Sequence, residues 1–349
     1  MKRIATKPFP TVRPTEVDLD ELGRLLVAGT RTPVPANRIG EYLARNLRIP
    51  ERASDIYVYV HGWQTAPSTA SRTAARLVQQ AQALRAAHRD RYPGVFGAYQ
   101  PWVVVVRWPS SSVSTLDGFR RIRERAHAMS ALGTGHAPFV LAHLLGYLDA
   151  RRAHPENPAV LANRFGQYLH LVGHSFGGRF LCEAVQWATE QPVQPAVLGW
   201  STPFDIRRPF TVDSTLIFQM AAPRNAFVRH FATLFPSDGA PGAPLRGPLV
   251  LTHSRWDRAT GFWHLRAEGE PGIGHSGTGV TPAPQSTIQM LTTATAYEKR
   301  ALDHRIVNVD ASWLYRGDWM SKLSPAGAHS DFQHPESAHL LLTLASFAR

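Results

Sequence analysis

The chain has 349 residues, 44% hydrophobic and 18% charged. That is apolar enough for a sizeable core and argues against a disordered chain. Its formal net charge of +12 would suit nucleic acid, anionic lipid or an acidic substrate. The arginines are scattered, however, as in Arg120, Arg121, Arg123 and Arg125 and again in Arg207 and Arg208. No Lys/Arg run alternates with aromatics as single-strand binders require, so nucleic acid is not expected as a partner.

Residues 1–50 read as a weakly patterned lead-in packed on the core, and 51–349 as the main folded domain. Met1 to Arg13 carry Lys2, Arg3 and Lys7 without an apolar run, so no secretory signal is expected and the cytoplasm is the default location. No apolar stretch of about 18 residues occurs, so no membrane span is expected. Thr15 and Asp18 are expected to cap a short helix holding Leu22, Leu25 and Leu26. Pro33 and Pro35 then interrupt the pattern.

Ile56–Val60 is a short β-rich run that ends at His61-Gly62-Trp63. Ala75, Leu77, Val78, Ala81 and Leu84 follow at helical spacing, until Pro93 and Gly94 break the pattern. Trp102–Val106 is continuous and apolar, as a strand buried on both faces requires. It ends at Trp108-Pro109-Ser110. Residues 116–152 read as mostly helical, interrupted near Gly133 and Gly135. Tyr168–Val172 is a third strand, and 178–190 the helix after it. Cys182, the one cysteine, lies on that helix as a small core residue. It allows neither an intramolecular disulfide nor a paired-thiolate metal site. Leu216–Met220, Leu249–Thr252 and Arg305–Val309 are further strands. Loops rich in Pro and Gly are expected over 191–210, 235–248 and 269–285. Alternating strands and helices imply a mostly parallel sheet with helices on both faces.

Between the third strand and its helix stands Gly173-His174-Ser175-Phe176-Gly177. A bare G-x-S-x-G arises on the order of 0.1 times by chance in such a chain, so the flanks carry the weight. A strand before the turn and a helix after it make a nucleophile elbow, with Ser175 as nucleophile. Serine needs a base to take its proton and donors to hold the oxyanion. The Phe176 amide, at the helix start, is one donor. The second is expected from the loop after the first buried strand, from the Trp63 amide first and that of Gly62 second. Gly274-His275-Ser276-Gly277 repeats the Gly-His-Ser triplet, but no strand leads into it and it reads as loop. His174 reads as a packing or hydrogen-bonding neighbour.

The order strand, His61-Gly62-Trp63, helix, strand, Arg107-Trp108-Pro109-Ser110, helix, strand, Gly173–Gly178 resembles the α/β-hydrolase superfamily from Ile56 onward. With Asp117, the first two segments also resemble an uncharacterised hydrolase group within it. The resemblance implies a sheet of about eight strands and a triad in the chain order Ser, acid, His.

The acid then follows a strand after the elbow. The strand ending near Met220 leads to no carboxylate. The strand ending at Thr252 leads to Asp257, with Asp310 as rival after Val309. The base belongs on a late loop. His329, in Gly327-Ala328-His329-Ser330-Asp331, is preferred, since a Gly-Ala-His turn presents its ring freely and superfamily members resemble this stretch. His334 is the alternative, although it precedes Pro335, where a terminal helix starts. Ser175 attacks, His329 moves the proton and Asp257 fixes the imidazole tautomer. No cofactor is implied, and no H-E-x-x-H or comparable zinc pattern occurs.

Trp63, Phe176, Trp108 and Phe227 are expected near the strand ends, lining a pocket for an apolar acyl or alcohol group. The partner is then a small-molecule ester or lipid-like substrate. Lipase, thioesterase and amidase chemistry use the same triad. The competing class is a non-catalytic binding protein on the same fold.

Overall fold

A computed structural model describes residues 12–95, 99–113, 115–130, 135–152, 166–190, 211–235, 245–319, 321, 324 and 326–349. The expected loop 191–210, the residues around Gly133 and most of 236–248 lie outside the described residues.

Eight strands form one all-parallel sheet: β1 (Thr15–Asp18), β2 (Asp55–Val60), β3 (Pro101–Arg107), β4 (Tyr168–His174), β5 (Ser214–Phe218), β6 (Leu249–His253), β7 (Gln285–Gln289) and β8 (Ile306–Asp310). Their spatial order is β1-β3-β2-β4-β5-β6-β8-β7, and every neighbouring pair is parallel. The order reverses around β2, which lies between β3 and β4. In open α/β sheets such a switch point opens a crevice at the carboxyl ends of the strands.

Alternate residues of the central strands feed two cores. Ile56, Val58 and Val60 join Val104, Leu171 and Ile217 on one face. That face is covered by α1 (Ile39–Asn46), α3 (Leu116–Ser130), α4 (Ala137–Arg151) and α5 (Phe176–Glu190). Tyr57 and Tyr59 join Val105, Val172 and Phe218 on the other. There α2 (Pro67–Ala87) packs on the terminal helix α6 (Pro335–Phe347). Both faces are thus buried, as the unbroken Val and Ile runs require. No described helix is long and apolar enough to cross a membrane.

Three expectations are corrected, and one strand was not anticipated. Thr15–Asp18 caps no helix; it is an edge strand paired with β3. Val17 is buried, and Asp18 receives two bonds from Arg107, at 2.6 and 2.7 Å, so tertiary contacts outweigh local capping. The strand expected over Leu216–Met220 is Ser214–Phe218, because its chain leaves the ladder at Gln219, which has a φ of 47°. The loop expected over 269–285 contains a one-turn helix, Ile273–Ser276. The buried Ile273 side chain pins it. β7, at that loop's end, has a polar sequence with no apolar alternation and pairs only with β8, as an edge strand.

Candidate active site

β4 delivers the chain to Ser175, and α5 starts at the next residue. Ser175 has a φ of 56°, in the left-handed region that non-glycine residues rarely adopt. Its amide donates to the Phe218 carbonyl at 3.0 Å, which ties the turn to β5. The loop after β2 crosses against this turn. A Cβ on Gly62 would lie 2.7 Å from the Ser175 Cβ, and one on Gly177 would overlap the Val60 carbonyl. Only glycine permits so close an approach at these two positions.

The structure brings Ser175, His329 and Asp257 into one hydrogen-bonded chain. Ser175 Oγ donates to His329 Nε2 at 2.7 Å, and His329 Nδ1 donates to Asp257 Oδ2 at 2.8 Å. The tautomer follows from the chemistry: an ionised carboxylate only accepts, so Nδ1 carries the proton and Nε2 accepts from the serine. All three residues are buried. Asp257 follows β6, and its Oδ1 accepts from the Thr260 amide at 3.0 Å, just ahead of which a π-helical turn, Ala259–Trp263, begins. Burial alone would raise the Asp257 carboxyl, but the facing His329 and the donated bonds outweigh it and hold it below its ordinary value.

Two further residues complete the arrangement. Gln219, at the end of β5, is fully buried and donates through Nε2 to Asp257 Oδ2 at 3.1 Å and to the Ala328 carbonyl at 3.0 Å. Sequence reasoning missed it. The available signal was a lone glutamine at the end of an apolar strand. His174 donates from Nε2 to the His329 carbonyl at 2.8 Å, and its ring lies 4.7 Å from that of Phe332. Burial, reinforced by the His329 ring, pushes its pKa down to about 3, so it is a neutral strut and not a second base.

The Phe176 amide is the first of α5 and has no intrahelical acceptor. Among the described residues no acceptor is bonded to it or to the Trp63 amide. His61 shapes the loop between them. Its Nδ1 donates to the Gly62 carbonyl at 2.9 Å, and its Nε2 accepts from the Trp108 amide at 3.1 Å. Burial lowers its pKa to about 4.

Trp108 and Phe227 are not among the residues that line the cavity beside His329. Trp108 is buried, stacked on His61, and donates its Nε1 proton to the His61 carbonyl at 2.7 Å. It braces the Gly62 loop from behind, because an indole N–H in a core needs an acceptor. Phe227 is fully buried against Phe231 and Phe235. Trp63 and Phe176 instead meet Phe119 and Trp263 in an aromatic cluster with ring spacings of 5.5–6.0 Å. A cavity of about 500 Å³ lies beside His329. Its walls are mostly polar, with Gln64, Thr65, Thr69, Ser330 and Asp331 around Trp63.

The rivals fall elsewhere. His334 donates to Asp331 at 2.9 Å, a bond that raises its pKa, and makes no bond to Ser175 or Asp257. Asp310 accepts from the Ser312 amide at 2.8 Å and from Gln289 at 3.2 Å. His275, in the second Gly-His-Ser triplet, is hydrogen-bonded through its Nδ1 to the Asp257 carbonyl at 3.1 Å and packs its ring against Gly261. Among the described residues no group of His, Cys, Asp or Glu could hold a metal ion. No family model, curated protein or solved structure matches the chain.

Proposed function

We propose that this protein is a serine hydrolase of the α/β-hydrolase superfamily that cleaves an acyl bond, a carboxylic ester first of all. The observation that carries the reading is the continuous hydrogen-bonded chain from Ser175 through His329 to the buried Asp257. It stands at the carboxyl ends of a parallel sheet, on a strained strand-to-helix turn. The catalytic unit is 51–349, and residues 1–50 contribute the edge strand β1 to its sheet.

His329 Nε2 takes the proton as Ser175 Oγ attacks the ester carbonyl, and Asp257 stabilises the imidazolium so formed. The amides of Trp63 and Phe176 face the developing oxyanion, with the positive end of α5 behind them. His329 then protonates the leaving alcohol, and a water molecule, activated the same way, releases the acid from the acyl-enzyme. The cavity that His329 lines, though Ser175 does not, has hydrogen-bonding walls, which suit a small ester with polar substituents.

The test is turnover of activated esters of graded acyl length by the purified full chain. The expected result is hydrolysis of short esters that disappears in Ser175→Ala. Equal turnover by Ser175→Ala would sink the reading.

A further inference from the structure

The residues after Asp257 carry a second pattern that the triad does not use. From 255 to 266 the inward residues are Asp257, Ala259, Thr260, Gly261, Trp263 and His264. The outward ones are Arg255, Trp256, Arg258, Phe262, Leu265 and Arg266, all exposed. Every outward side chain is therefore either an arginine or a large apolar group. Arg255 sits over the Trp256 ring at 5.0 Å, and Arg266 over Phe262 at 5.2 Å. Trp256, Phe262 and Leu265 are 41–53% exposed.

The same end of the molecule carries more. The sheet is all-parallel, so every segment that directly follows a strand emerges at the end where Ser175 stands. Trp313 and Trp319, at 38% and 71% exposure, follow β8. The loops are tied together: Trp256 Nε1 donates to the Ser312 carbonyl at 3.1 Å, and the Ala328 amide donates to the Trp256 carbonyl at 3.1 Å. All three exposed tryptophans among the described residues thus lie on the loops that follow the acid-bearing and final strands.

We propose that this face, centred on residues 255–266, docks the protein on an anionic lipid surface. An apolar stripe edged by arginines is the composition that lies in a bilayer interface. Its rings enter the headgroup boundary and its guanidinium groups pair with lipid phosphates. The sign of the charge selects the occupant: the outward side chains of this segment include three arginines and no carboxylate, which complements an anionic leaflet. Trp263, on the inward side, packs on Trp63 at 5.6 Å, so the docking segment rests directly on the cluster beside Ser175.

The test is co-sedimentation of the full chain with vesicles of phosphatidylcholine, alone or mixed with phosphatidylglycerol, at low and high salt. Binding should favour the anionic vesicles and weaken with salt. Each arginine near such a surface contributes about five-fold, so Arg255→Gln with Arg266→Gln should weaken partitioning by about 25-fold. Phe262→Ser should weaken binding even at low salt. Arg38→Gln with Arg45→Gln, exposed just before α1 and in its last turn, should leave binding unchanged. Thermal melts establish that each variant is folded. Ser175→Ala should bind as wild type, so docking is read without turnover and stands or falls apart from the hydrolase reading. The proposal is overturned if anionic vesicles do not bind or if the α1 pair weakens binding as much as the 255/266 pair. It is equally overturned if the face proves to hold a second copy of the chain, seen as self-association that Phe262→Ser abolishes in the absence of vesicle binding.

Discussion

Replacing Gln219 by leucine separates support of the triad from support of the fold. The two side chains are similar in size, and the site is fully buried, so the change removes donors without opening a large void. Asp257 loses one of its three donors, the Gln219 amide at 3.1 Å, and keeps His329 at 2.8 Å and Thr260 at 3.0 Å. A hydrogen bond to a charged group is worth roughly 1.5–3 kcal/mol. The Ala328 carbonyl also loses its glutamine donor but keeps the Asp331 amide at 3.1 Å, which costs roughly another 0.5–1.5 kcal/mol. A total near 3 kcal/mol should therefore appear in chemical denaturation.

Only part of this reaches the reaction, because Gln219 bonds Asp257 both before and during proton transfer. What the transition state feels is the loosened placement of Asp257 and of the 328–329 backbone. A misplacement of this kind costs about ten- to a hundred-fold in kcat. KM should stay constant, since Gln219 does not line the cavity. The assay is steady-state ester hydrolysis beside urea denaturation. A variant with the expected stability loss but wild-type kcat would refute the claim that Gln219 positions the acid. So would a change confined to KM.

Gly62→Ala should cost at least about 100-fold in kcat while the protein still folds, since its methyl would push the loop carrying the Trp63 amide away from Ser175. Comparing ester turnover with the thermal melt checks this. Stability should fall on acidification below neutrality. Burial holds His61 and His174 neutral in the fold, with pKa values of about 4 and 3, whereas the unfolded chain takes up their protons below about pH 6.5. The unfolded state thus binds more protons, and stability present above that pH is lost as pH falls toward the folded values. Between pH 6.5 and 4.5 the loss is roughly 2–3 kcal/mol for each ring. Urea midpoints across this range should drop steeply, and a flat profile would contradict the neutral assignment.

How much the sequence disclosed depended on the kind of signal. β2, β3 and β4 are unbroken apolar runs because both of their faces are buried, and such runs are legible without a structure. β1 and β7 are edge strands of four and five residues. They are specified by partners far away in the chain, so local patterning misses them. Ser175 was legible as a candidate because small neighbours at fixed spacing mark a strand-to-helix turn, and Asp257 and His329 because they follow strands in the order that the resemblance implies. Gln219 was not, since a buried amide becomes meaningful only once its two acceptors are seen. Trp108 and Phe227 show the converse limit. A large ring after a strand end can face the site or the core, and composition does not say which. Both rings turn into the core.

The account rests on Ser175 being an activated nucleophile, and reaction with a fluorophosphonate measures that most directly. Intact-protein mass spectrometry of the folded chain near pH 8 should show one adduct per molecule, mapped to Ser175, absent in Ser175→Ala and strongly slowed in His329→Ala. An unlabelled wild-type protein, or an adduct that persists at the same rate in Ser175→Ala, would contradict it.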